Sequence, residues 1–148
     1  MSGQKKHKNL FVQGAISAAF IAEKIQAHQD KTGIGAHSIF LGQVRADRIG
    51  EKTVAAIDYT SYEAMALEKM SVIREALFAK YDLTCMHVWH SLGKVATGEI
   101  CLFVFTSAHR RKAATDACSE LVEWIKAELP VWGKELCNDD THQWKKNQ

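Results

Sequence analysis

The stretch Ile100–Phe105, "ICLFVF", limits the possible folds more than any other part of the chain. Six successive apolar residues leave no alternation between a wet and a dry face, so the run suggests a strand buried on both faces. Further segments read as its partners. "LTCMHVWHS" just upstream is a second strand, joined to the first around Gly93 and Gly98. "TGIGAHSIFLGQVR", ending at Arg45, and "TVAAIDYTSY" are two more. These last two are expected to pair antiparallel across the polar loop "ADRIGEK", which holds Gly50 and is long enough to move.

Helical spacing accounts for most of the remainder. A helix from about Ala15 to His28 carries Ile16, Ala19, Phe20 and Ile25 on one stripe, after a short strand at Leu10–Val12. "EAMALEKMSVIREALFAKY" places Met65, Leu67, Met70, Ile73, Ala76 and Leu77 at helical intervals. A third helix from about Ala108 to Leu129 stops at Pro130, the only proline, which cannot continue it. Its apolar stripe is Ala114, Ala117, Cys118, Leu121, Val122, Ile125 and Leu129. An extended tail, "VWGKELCNDDTHQW", closes the chain. The order α-β-β-α-β-β-α predicts an α+β fold, an antiparallel sheet packed with helices. At 148 residues one domain is expected, over 9–148, after a polar, basic and disordered tail at 1–8.

The formal net charge of +2 is too small for general nucleic-acid binding, so anion recognition must come from local clusters. Cys85, Cys101, Cys118 and Cys137 form no C-x-x-C pair and no zinc spacing. A reducing, cytoplasmic setting without disulfides or a structural metal follows. Cys85, His87 and His90 are close in sequence, but a strand's period of two turns His90 away from the other two. The basic-then-apolar start imitates a signal peptide; Gln13, Gly14 and Ser17 interrupt it, and a helical pattern continues beyond. No segment has the roughly 18–20 apolar residues of a membrane span.

"FTSAHRRKAATDAC" is electrostatically odd. The third helix begins with His109, Arg110, Arg111 and Lys112 where the peptide dipoles are already positive, a cost of about 0.3–1 kcal/mol per exposed cation. An anion resolves the conflict, because free backbone N–H groups at a helix start hold phosphate or carboxylate. Arg110 adds a bidentate fork and His109 a directional donor. Arg111 and Lys112 read more simply as solvent-facing. Arg45 ends a strand just before the polar loop, and Lys126 closes the third helix with Lys134 soon after. Lys126 is equally readable as a plain complement to the helix dipole. Trp132 reads as a core aromatic or as a stacking wall.

Together, "FLGQVR", "TSAHR" and a helix ending in lysine before "PVWGKE" resemble the large, catalytic subunit of molybdopterin synthase, from about Gly33 to Trp144. The resemblance implies a hammerhead-like α/β arrangement and a sulfurtransferase. Its substrate is a cyclic pyranopterin monophosphate, converted to molybdopterin by installing a dithiolene. The two sulfurs come from the thiocarboxylated C-terminal Gly-Gly of a small ubiquitin-like partner. It implies no cofactor, and a cytoplasmic homodimer that becomes a heterotetramer with the partner. Residue by residue, Lys126 matches the principal catalytic lysine, Phe40 and Arg45 the pocket wall, and His109 and Arg110 the phosphate or pterin contacts. Many family members carry the second catalytic lysine where this chain has Gly133, so that role passes to Lys134. A non-catalytic anion- or nucleotide-binding module is the alternative of a different class. RNA binding is disfavoured by the near-neutral charge and the lack of an aromatic-rich RNP-type strand.

Overall fold

The computed structural model describes residues 10–139 and 141–145, so the expected tail at 1–8 lies outside the described residues. In chain order the elements are β1 (Phe11–Gln13), α1 (Ala18–Gln26), β2 (Ala36–Gln43), β3 (Arg48–Ile49), β4 (Lys52–Ser61) and α2 (Glu63–Lys80). They continue as β5 (Cys85–Ala96), β6 (Ile100–Ala108), α3 (Arg111–Glu128), β7 (Val131–Cys137) and β8 (His142–Trp144). The strands form one sheet of order β2-β6-β5-β4-β7-β8, with β1 added to β5 and β3 to β4. Every pairing is antiparallel except β1 with β5. The α+β class is as expected.

β6 shows why the apolar run matters. Leu102 and Val104 point into a main core shared with α2 and α3, while Phe103 and Phe105 point into a second cluster with Ile16, Ile21 and Trp89. All four are fully buried. Two apolar layers therefore lie on opposite faces of one strand, and alternation is lost because neither face is wet. The α3 stripe is buried at all seven expected positions. On α2 the buried stripe is Ala66, Met70, Ile73 and Leu77, so Met65, at 48% exposure, lies outside it.

Three expectations need correction. β2 does not pair with β4; it pairs with β6 from Ala36↔Ala108 onward, leaving β4 between β5 and β7. The hairpin partner of β4 is the two-residue β3, turned by Gly50 at φ 65°. β2 also ends at Gln43, so Arg45 sits in the following loop. The tail is extended as expected and joins the sheet, β7 pairing with β4 from Val54↔Cys137 to Ser61↔Val131. α1 starts later than the apolar spacing suggests, because Ile16 bridges to Ile100 and the Ser17 hydroxyl caps the helix, accepting from the Phe20 amide at 3.1 Å.

Gly93 has the decisive backbone role. β5 runs unbroken through it, pairing with β6 up to His90↔Leu102 and then with β4 from Tyr59↔Gly93. The change of partner takes place at a φ of 84°, in the left-handed region that glycine adopts without steric cost.

Candidate active site

A cavity lies beside Tyr59, the β4 residue paired with Gly93. The end of β2, the β2–β3 loop, β4, β7 and β8 surround a space of about 790 Å³. Lys126, from the last turn of α3, reaches it. The charged lining comprises Arg45, Arg48, Lys126 and Lys145 against Asp47 and Glu135, an excess of cations. Phe40 supplies a flat apolar wall, and Trp144 stands at the rim. Basic groups with an aromatic wall suit a planar anion.

Polar groups lie in the floor and just behind it. Burial, then the adjacent Cys101 thiol and Glu135, push the Tyr59 hydroxyl far above its ordinary range, so it stays a neutral donor. Glu135 is buried and accepts from Gln143 Nε2 at 3.1 Å. His90 packs edge-on against Tyr59, ring centroids 5.1 Å apart. Burial lowers its pKa to about 4; a backbone bond to Ser91 opposes the shift and Lys126 adds to it. Beside Lys126, then, lies an imidazole that is uncharged at neutral pH. Lys126 itself is solvent-exposed. Arg45 is 72% exposed and ion-paired with Asp47 at 3.2 Å. A surface pair of this kind is worth about 0–1 kcal/mol, which an incoming phosphate can outcompete.

Of the six residues expected at a site, the fold brings three, Phe40, Arg45 and Lys126, to this cavity. Lys134 is not part of its wall. Strand alternation puts Gly133 and Glu135 on the cavity side of β7, opposite Tyr59 and Ile57, and sends Lys134 the other way. The Lys134 ammonium sits 5.8 Å from the centre of the Trp144 ring. A Cβ at position 133 would come within 2.8 Å of Ile57 Cγ2, so a side chain there meets packed sheet. Arg48 and Lys145 are the cations the sequence reading missed; both line the cavity, and the Lys145 amide donates to the Gly133 carbonyl at 2.7 Å. The only signal for Lys145 was its position, just past the extended tail.

His109 and Arg110 lie at the opposite end of α3. The His109 ring donates through Nδ1 to the Gly33 carbonyl at 3.0 Å. Gly35 permits this approach, since a Cβ there would collide with the His109 carbonyl. Arg110 is the N-cap residue and makes no capping bond with its side chain, and α3 has no acidic residue in its first turn. Lys112 pairs with Asp116 at 3.0 Å, in keeping with its solvent-facing reading. Trp132 is 50% exposed, which excludes the core alternative.

A helix-covered antiparallel sheet with a cation-rich cavity defines an α+β protein whose site suits an anion. Comparison with known proteins narrows this. The model of the MoaE protein family matches residues 15–128. The molybdopterin synthase catalytic subunit of Pyrococcus abyssi is 32% identical over 81% of this chain and 80% of that protein. That of Drosophila willistoni is 40% identical over 78% of this chain but 32% of that protein, so the chain spans about a third of this longer relative. The molybdopterin synthase structure from Staphylococcus aureus superposes with a TM-score of 0.80 over 94% of this chain and 97% of that one, at 24% identity. A Helicobacter pylori complex of subunits 1 and 2 of molybdopterin-converting factor also gives 0.80, at 20% identity. The chain belongs to the MoaE family, that of the molybdopterin synthase catalytic subunits.

Proposed function

We propose that this protein is the catalytic subunit of a molybdopterin synthase, transferring two sulfurs from the thiocarboxylated C-terminus of a small ubiquitin-like partner to a cyclic pyranopterin monophosphate. One observation carries the reading: Lys126, four residues before Pro130, meets Phe40 and Arg45 at a cavity with an excess of cations. The donor tail and the substrate phosphate are both anionic, and such a cavity attracts both. The Lys126 ammonium stabilises the charge that develops as sulfur leaves the thiocarboxylate, and it exchanges a proton with the reacting group. The neutral His90 beside it leaves that ammonium as the local charge centre. Lys145 takes the role of second cation more readily than Lys134, because it lines the cavity.

His109 and Arg110 enter through a second subunit in this reading. His109 and Lys126 are 17 positions apart, about 25 Å of helical rise, too far for one pterin to touch both. A two-fold homodimer that brings the Arg110 end of one protomer to the Lys126 end of the other completes two equivalent sites. With one partner bound per site the assembly is a heterotetramer. A cytoplasmic location belongs to the same reading, supported by four unpaired cysteines. Among the described residues no helix is long and apolar enough to cross a membrane.

The deciding assay combines the purified protein, a thiocarboxylated partner and the pyranopterin substrate, and measures dithiolene product. Product is expected, with activity dependent on Lys126. Anion binding without turnover would instead favour the non-catalytic module.

A further inference from the structure

A second cluster of chemically capable side chains lies on the opposite face of the sheet from Lys126. β5 presents Cys85, His87 and Trp89 toward the smaller apolar cluster, while His90 points to the cavity side. The turn after α1 lowers His28 onto the same spot. One ligand atom from each of His28, Cys85 and His87 falls within 4.8 Å of the others. Sequence spacing separates His90 from Cys85 and His87 but cannot supply the third member, which is 57 positions before Cys85.

We propose that His28, Cys85 and His87 form a binding site for a borderline-soft transition metal, zinc above all, with a fourth position open to water or another ligand. Three observations converge on this. First, the His28 ring bonds through Nδ1 to the Lys24 carbonyl at 2.7 Å. That contact places the proton on Nδ1 and leaves Nε2 a lone pair, the same outer contact that orients metal-binding histidines. Second, this Nε2 lies 3.1 Å from His87 Nε2. Two nitrogens on a tetrahedral zinc, each at about 2.0–2.1 Å, are about 3.3 Å apart, so the pair needs almost no movement. Third, the Lys31 ammonium donates to Cys85 Sγ at 3.2 Å, a contact that a metal-bound thiolate retains. The thiol proton passes to solvent on ligation.

The donor set decides the class of metal. Two imidazoles and a sulfur suit zinc or cuprous copper and offer nothing to magnesium or calcium, which demand oxygen. His28 and Cys85 are buried and His87 is half-buried, so the shell around the site is largely dry. A metal here would fasten the turn after α1 to the middle of the sheet, far in the fold from the anion cavity.

Cobalt is the probe of choice, because it substitutes for zinc and reports its own ligands. Tag-free protein stripped with a chelator and titrated with Co²⁺ under reducing conditions should bind one equivalent per chain. A thiolate-to-cobalt charge-transfer band should appear and should vanish when zinc is added. Cys85→Ser should abolish that band, and His28→Gln or His87→Gln should weaken binding by at least about tenfold. Should a variant fold poorly, the wild-type protein still decides the matter. Zinc at about a hundredfold excess over Kd should raise its Tm by roughly 5–10 °C, and magnesium should not. No saturable cobalt binding, a charge-transfer band that persists in Cys85→Ser, or equal Tm shifts from zinc and magnesium would each overturn the site.

Discussion

The two ends of α3 carry the same type of residue in opposite surroundings. At the C-terminal end, Lys126 meets a walled cavity built from several strands, with the half-buried Tyr59 in its floor and the buried His90 packed behind that ring. At the N-terminal end, His109 and Arg110 stand exposed at the edge of β2 and β6, held by one backbone contact to Gly33. Lys126 complements the dipole of its helix end; Arg110 opposes it. One end is preorganised within a single chain, while the other offers donors with no wall around them. That difference is what a composite site between two protomers would show in each isolated protomer.

The largest expected effect tests the organised end. Lys126→Ala should lower the rate of dithiolene formation about 10²–10³-fold, the loss typical of removing a positioned charge partner, with an unchanged melting curve because Lys126 is exposed. Near wild-type turnover would reduce Lys126 to a dipole complement. Mixing inactive Lys126→Ala protein with inactive Arg110→Ala protein then tests the other end. Some mixed dimers hold one intact composite site, so partial activity should return once subunits exchange. Proven exchange without recovery would mean that each protomer works alone.

The histidines at the two ends give the next contrast. His90 is buried, with a pKa lowered from 6.5 to about 4, whereas His109 is exposed. Protons below pH 6.5 therefore bind the unfolded chain before the folded one. The stabilising difference is whole above pH 6.5 and disappears as pH falls toward 4. For His90 it amounts to roughly 3 kcal/mol at most. Urea melts at pH 7 and pH 4.5 should show a steep loss in the wild type and a flatter one in His90→Asn. Equal losses in the two proteins would show that His90 does not titrate this way.

How far the sequence was legible follows the same divide. Helix α3, its stripe and its stop at Pro130 were readable because spacing and proline act locally. The double burial of β6 was readable because an unbroken apolar run leaves no polar residue to face water on either side. Pairing was less accessible: the loop between β2 and β4 suggested a hairpin, but its own residues Arg48 and Ile49 make that hairpin and release β2 to β6. Phe40, Arg45 and Lys126 were found through motifs near strand and helix ends. Lys145 and Glu135 were missed because their placement depends on β7 joining β4, a contact some 70–80 positions long in sequence, and on β8 then pairing with β7. His28 was missed for the same reason.

Arg45→Ala and Arg110→Ala should have smaller effects, each raising the KM for the pyranopterin about five- to tenfold at low salt, by roughly 1 kcal/mol. Because both are exposed, the penalty should shrink toward none as ionic strength rises. Arg45 must leave Asp47 to meet an anion. Asp47→Asn should therefore tighten substrate binding slightly, and a weaker interaction in that variant would mean that the ion pair itself shapes the pocket.

The smallest effects separate the two lysines of the tail. Register on β7 turns Gly133 and Glu135 toward the cavity and Lys134 away from it, onto Trp144. Lys145 reaches the cavity wall from the far side of β8, anchored through its amide to Gly133. If position along the chain decided the role, Lys134→Ala would be the costly change, since it stands next to the place where the family resemblance expects a lysine. If the face of the strand decides it, Lys145→Ala should cost several-fold in rate, within roughly 1 kcal/mol, and Lys134→Ala less than about twofold. Both side chains are long and surface-reaching, so neither change should move the melting temperature. A larger loss at Lys134 than at Lys145 would mean that the tail adopts another register once the partner's C-terminus occupies the cavity. In that case β8, which adds to the sheet only through β7, is the element that moves.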